Sequence, residues 1–246
     1  MLRVPMPSRA VTVVSGLTLA LIWGCSYHYV AGPLQPTGSQ GASMTVADDG
    51  GITFTQGRLE VRLRPLTADE LNRQFSSVSA EGQKSTNPYT YGDTEFADGL
   101  AHTRFTVFQL SVKNYEHPKV IIDPAKVELL AANSRQYWTL NLQQLDTYYR
   151  GYAIGYRGNE YSRYQNRMDL LRRTMFNADP VFSGQETEGF LIFPALHADV
   201  NSVELVIHDA ALRFDFRDEP VDQIDISYAF EREIGKANWR QPQQQM

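Results

Sequence analysis

Regular patterning begins at Ile52. From Arg58 to Arg64 polar and apolar residues alternate without a miss, with Leu59, Val61 and Leu63 on one side and Glu60, Arg62 and Arg64 on the other. A period of two predicts a half-buried strand, which Pro65 is expected to end. Thr67 and Glu70 have the spacing of a capping box and predict a short helix running to about Phe75. Residues 104–114, RFTVFQLSVKN, are apolar on both faces: Phe108, Leu110 and Val112 on one, Phe105 and Val107 on the other. That pattern predicts a central strand, with Asn114 opening a turn. Further short strands are predicted at 119–123, 126–130, 189–194, 202–207, 211–216 and 224–230. Short strands with turn signals between them predict a mainly β domain over residues 52–233, built as a β-sandwich.

Residues 138–179 break the pattern and predict an α-helical insertion. Tyr161, Tyr164, Met168, Leu171 and Met175 recur at helical spacing from about Asn159 to Asn177, and Pro180 follows the end. Leu142, Leu145, Tyr149 and Tyr152 give a second, weaker stripe. Gly151 and Gly155 weaken the stretch between them, so a helical hairpin or a helix–loop–helix fits. Arg163 and Arg167 are expected off the apolar stripe. Residues 76–99 are polar and without clear periodicity, and are expected to form a mobile loop, either an insertion or a binding element.

The first nine residues carry Arg3 and Arg9 and no acid, and Ala10 to Trp23 is apolar. This is the form of a secretory signal, and the apolar run is short for a membrane-spanning helix. The segment Leu21-Ile22-Trp23-Gly24-Cys25 resembles the lipobox of bacterial lipoprotein signals, with Ile22 and Gly24 at the aliphatic and small positions and Trp23 where a small or aliphatic residue is usual. The resemblance implies a signal peptide at 1–24, diacylglycerol in thioether linkage on Cys25, cleavage before it and acylation of the new amino terminus. An uncleaved anchor helix, or simple secretion, is the alternative. Ser26 stands where an aspartate commonly marks inner-membrane retention, which points to the outer membrane, facing the periplasm. Residues 25–51 are rich in Gly, Pro, Ser and Asp and are expected to be the lipidated N-terminus and a flexible tether. Residues 234–246 are expected to be a polar, frayed tail.

FTVFQLSVKN, followed much later by SGQETEGFLIFP and VELVI, is similar to immunoglobulin-like domains of bacterial envelope lipoproteins of unknown function. The resemblance covers about half of the chain and does not extend over the helical insertion. It implies an immunoglobulin-like β-sandwich, and its motifs report turns and core strands rather than an activity.

Composition narrows the function classes. The net charge of −5 makes general nucleic-acid binding a poor fit. The single cysteine excludes an intrachain disulfide and a cysteine-based zinc site. There is no nucleophile elbow, phosphate-binding glycine loop or zinc-protease motif in the sequence, so no catalytic residue, metal ligand or cofactor is assigned. His197 with Asp199, and His208 with Asp209, are candidate pairs, and turn histidines are the plainer reading. Asp215, Asp218, Glu219, Asp222 and Asp225 read as a weak cation site or as a solvated acidic edge.

The insertion is basic by contrast. Between Tyr148 and Phe176, six arginines face only Glu160 and Asp169. Arginine and tyrosine are enriched at interface hot spots. Arg150, Tyr156, Arg157, Arg163, Arg167 and Arg173 are therefore candidate partner-binding residues. The alternative is a docked helix with solvated arginines. Two functions fit the whole. One is a non-catalytic envelope lipoprotein that binds or scaffolds an envelope protein or glycan, attached to the membrane by Cys25. The other is an envelope enzyme, for example a glycan-acting hydrolase, with dispersed carboxylates facing each other in a cleft.

Overall fold

The alternation at Leu59, Val61 and Leu63 becomes a strand whose apolar side is fully buried. This computed structural model describes residues 27–80, 82–96, 102–155 and 160–238. The signal segment and Cys25 lie outside the described residues. The chain divides into two units, 1–30 with 235–246, and 31–234. The described part of the first is most of a two-stranded sheet of β1 (Tyr27–Ala31) and the last strand, Ile234–Asn238, with the Lys236 ammonium 5.6 Å from the centre of the Tyr29 ring. The expected frayed tail thus begins as a strand, and its remainder lies outside the described residues.

The second unit contains two five-stranded antiparallel sheets. The strands are β2 (Gln35–Pro36), β3 (Met44–Val46), β4 (Ile52–Gln56), β5 (Leu59–Leu66), β6 (Phe105–Asn114), β7 (Lys119–Val120), β8 (Val127–Ala131), β9 (Gln136–Trp138), β10 (Val181–Phe182), β11 (Gln185–Pro194), β12 (Ser202–Phe214) and β13 (Pro220–Glu231). One sheet has the order β11-β6-β5-β4-β3, the other β2-β13-β12-β8-β9, and β7 pairs with β10 apart from both. Leu59, Val61, Leu110 and Leu191 of the first sheet share one core with Leu129, Leu205, Ile226 and Phe230 of the second. The Tyr228 hydroxyl crosses that core and donates to the Val61 carbonyl at 2.8 Å, and burial pushes the phenol well above its ordinary pKa.

Helices α1 (Ala68–Gln74), α3 (Leu142–Gly155) and α4 (Glu160–Thr174) build a second core, and the short α2 (Ser76–Ser79) follows α1. It forms on the other face of β6 and β11, where Phe105, Val107, Phe190 and Ile192 meet Leu71, Leu145, Tyr149, Met168 and Leu171. A strand apolar on both faces is what such a site needs, and β6 supplies it. The expected helical hairpin is present as α3 and α4. The capping box of α1 is also present, with Thr67 Oγ1 accepting from Glu70 N and Glu70 Oε2 accepting from Thr67 N.

Four expectations are corrected. The stretch 32–51 is not a free tether. β2 pairs with β13, β3 pairs with β4, and the Gln40 amide both donates to and accepts from the backbone of Ala229, which completes the ladder beyond β2. Residues 76–80 and 82–96 are a cover on the second core, with Asn87 and Tyr89 buried, while 81 and 97–99 lie outside the described residues. Polar bonds hold them, Asn87 Nδ2 donating to Ser79 Oγ at 2.9 Å and Oδ1 accepting from Tyr89 N at 2.9 Å. Pro65 does not end its strand, because β4 reaches only Leu63 and leaves Pro65 a neighbour on one side alone. The strands expected at 202–207 and 211–216 are one strand, β12, with a bulge between Ile207 and Ala210 where Asp209 takes a φ of 52°.

That bulge carries a prediction. His208 Nε2 lies 2.8 Å from Glu128 Oε1, and its Nδ1 lies 3.4 Å from Asp225 Oδ2. The bond to Glu128, reinforced by Asp225, holds the imidazole above its ordinary pKa. The folded state therefore binds this proton more tightly than the unfolded chain does. Its stabilisation is fully present below about pH 6.5, the unfolded value, and is lost as pH rises through the higher folded value. Asp225 is shifted the other way, chiefly by the Asp209 N–H it accepts, and contributes above the ordinary carboxylate range. Urea midpoints should fall between about pH 6 and pH 9, and His208→Gln should flatten that slope. An equal slope in both proteins would refute the coupling.

Candidate functional site

Three turns meet at one end of the sandwich. They follow β6, precede β11 and join β12 to β13. Asn114, at the last position of β6, faces inward and is fully buried. Its Nδ2 donates to the carbonyls of His117 and Val181, both at 2.8 Å, and its Oδ1 accepts from the amides of Glu116 and His117. One side chain thus fixes the first turn and ties it to β10. Lys119 connects the third. It is paired across the ladder with Phe182, its ammonium lies 4.0 Å from the centre of the Phe214 ring, and it forms an ion pair with Asp218. Asp215 shapes the β12–β13 turn by accepting from the amides of Arg217 and Glu219, and Asp218 takes a φ of 69° there.

This end presents aromatic rings to solvent. Phe216 is 90 % exposed at the tip of the β12–β13 turn, Tyr115 is exposed on the turn after β6, and Phe182 is exposed at the end of β10. Arg217 sits 5.2 Å from the centre of the Phe216 ring. Asp215, Asp218, Glu219 and Asp222 make the β12–β13 turn acidic. Among the described residues no group of three or more of these carboxylates is placed to hold a metal ion.

The chain comes into the second unit at the opposite end. The Gly32 amide donates to the Glu233 carbonyl at 2.9 Å, and β2 pairs with the last residues of β13. β13 runs the full length between the two ends, roughly 36 Å at the rise of an extended strand.

The candidate arginines of the insertion are mostly occupied. Arg150 pairs with Asp146, Arg163 with Glu160 and Arg173 with Asp169, each on its own helix. Arg167 is only 6 % exposed and donates to the Ser85 carbonyl at 2.7 Å, with its guanidinium 5.4 Å from the centre of the Tyr149 ring. It lies on the buried stripe, three residues after Tyr164 and four before Leu171, so its expected place off the stripe is corrected. Burial, and then the nearby charge of Arg104, hold its guanidinium below the ordinary value. Tyr156 and Arg157 lie outside the described residues. The candidate histidine pairs are not formed as expected: His208 turns to Glu128 and Asp225, His197 bonds the Tyr137 hydroxyl at 2.8 Å, and Asp199 pairs with Arg135.

Two clefts open on the second unit. One, of about 410 Å³, lies where the start of α3 and the end of α4 meet β9 and β11, with Asp123 as its one carboxylate. The other, of about 310 Å³, lies at the end where the chain comes in, between Leu34, Leu66, Phe105 and Arg232, with Asp69 as its one carboxylate. Sequence reasoning missed the aromatic end because Tyr115, Phe182 and Phe216 are dispersed singly along the chain, where no period marks them.

Among the described residues no helix is long and apolar enough to cross a membrane. The chain matches no family model, and neither a curated protein nor a solved structure is significantly similar to it.

Proposed function

We propose that the chain is a bacterial envelope lipoprotein, held to the outer membrane by a lipid on Cys25 and facing the periplasm, whose immunoglobulin-like sandwich is a non-catalytic binding or scaffold module for an envelope protein or glycan. The lipobox resemblance supports the anchor. The strand order supports the immunoglobulin-like reading. β5, β6 and β11 stand in the order of strands A, B and E, and β9, β8, β12 and β13 in the order of C′, C, F and G, with α3 and α4 inserted between C′ and E. The hydrolase alternative needs two carboxylates facing each other in a cleft.

The observation that carries the binding function is the set of exposed rings of Tyr115, Phe182 and Phe216, two on turns and one at the end of β10, at the end away from Gly32. In antibody variable domains the B–C and F–G turns are among those that make up the recognition end. Aromatic side chains offer large contact area at small entropic cost.

Two measurements test the reading. The mature protein should have Cys25 as its first residue with acyl chains attached, and Cys25→Ser should release the domain from the envelope. A photo-crosslinking residue at Phe216 should give a discrete adduct in cells, whereas the same residue at Val46 or Ile154 should not. An unmodified Cys25 would overturn the anchor, and equal crosslinking at all three positions would overturn the recognition end.

A further inference from the structure

The 410 Å³ cleft has a chemistry of its own. Its floor is apolar: Leu171 and Ile192 are fully buried beneath it, and Met175 is half-buried along its wall. Trp138 stands at the rim and is 50 % exposed. Protein interiors of this composition are normally packed shut, and a cleft of this volume falls in the range of small-molecule sites.

The polar groups around the cleft are mainly donors. Asn141 and Gln144 cap α3 reciprocally, Gln144 Oε1 accepting from Asn141 N and Asn141 Oδ1 accepting from Gln144 N, both at 2.9 Å. Each amide spends its oxygen on the cap, so the two NH2 groups are what remain for a ligand. Arg172 also lines the cleft. Three other arginines of these helices pair with a carboxylate on their own helix and Arg167 is buried on a carbonyl, but Arg172 has no carboxylate within ion-pair distance among the described residues. Asp123, on the other side, already uses one oxygen to accept from Ala125 N.

The geometry points to a site for an amphipathic carboxylate, a medium-chain fatty acid or an arylalkanoic acid. Its apolar body lies along Leu171, Met175 and Ile192 under the edge of Trp138, and its acid group is held by the Arg172 guanidinium and the Asn141 and Gln144 amides. A free cation at the mouth of an apolar cleft selects an anion with an apolar tail. A neutral alcohol of the same length gains only the tail contacts, and an amine is repelled by Arg172.

The test is calorimetric titration of the full chain with octanoate, octanol and octylamine at neutral pH, below their aggregation concentrations. Octanoate should bind at one molecule per chain, and octylamine roughly tenfold or more weaker. Arg172→Gln should weaken octanoate by about tenfold and leave octanol unchanged, because one charge-assisted hydrogen bond is lost and the tail contacts are not. Met175→Trp should fill the cleft and abolish binding of both, with the melting temperature as the check that the fold persists. No octanoate binding to the native chain, octylamine binding as tightly as octanoate, or an Arg172→Gln variant with native octanoate affinity would each overturn the site.

Discussion

Phe108→Ala should lower the unfolding free energy by about 4 kcal/mol, the range seen when a large buried ring is truncated in a core. Phe108 is fully buried at the middle of β6 and stands where the two sheets face each other. It meets Phe193 of its own sheet edge-on at 5.8 Å between centroids and Phe230 of the opposite sheet at 5.3 Å. Removing it deletes the ring's transfer free energy and leaves a void between two ladders that cannot close, because β6 is held by β5 on one side and β11 on the other. A urea midpoint shift at unchanged slope would report that loss. Phe216→Ala is the internal control: the same chemical change at an exposed tip should leave the midpoint where it is. A Phe108→Ala loss of under about 1 kcal/mol would mean that the sheets are not packed through this ring.

Asn114→Ala should cost about 3 kcal/mol, more than any single hydrogen bond is worth. The side chain makes four, and the Val181 carbonyl it serves is buried, so truncation strands polar groups as well as losing bonds. Asn114→Asp separates the two parts. It keeps both acceptor bonds, loses both donations and buries a charge. Burial raises the new carboxyl's pKa, so the neutral form, which regains a donor, is favoured as pH falls. The Asp variant should therefore be destabilised at pH 7 and recover part of the loss towards pH 5 relative to the Ala variant. If the two variants track each other across that range, the donations to His117 and Val181 are not what holds the turn.

What was legible in the sequence follows from where hydrophobic order is strong. The alternation of β5 and the two apolar faces of β6 are dictated by side chains that must be buried, the capping box at Thr67 by helix N–H groups that must be satisfied, and the structure has all three; of the α4 stripe Met168 and Leu171 are buried, whereas Tyr161 is exposed. The first sandwich expectation holds at the level of a mainly β unit with antiparallel sheets. β2 was not legible because so short a strand is satisfied by a partner far along the chain, as where Gln40 completes a ladder at Ala229, and β3 because its three residues, paired locally with β4, are too few to show a period. The cover made by Asn87 and Tyr89 is held by side-chain polar bonds, which leave no period. The bulge at Asp209 split one strand into two in the pattern. Arg167 was legible and misjudged: its spacing from Tyr164 and Leu171 put it on the buried stripe, and its charge argued it off. The candidate site was the least legible part, since a single exposed aromatic gives no signal until the fold gathers three of them.

The adjacency of Gly32 and Glu233, with β13 running from there to the aromatic turns, also sets how the second unit carries mechanical load. A pull at Phe216 that is resisted at Gly32 acts along the axis of β13, and the bonds by which β2 and Gly32 hold that strand, which lie across it, are strained together in shear. A pull between the two ends of the unit acts across β2 and β13 instead, where the ladder can open one bond at a time. The same sandwich is thus stiff towards a partner held at its far end and weak towards separation of its own termini.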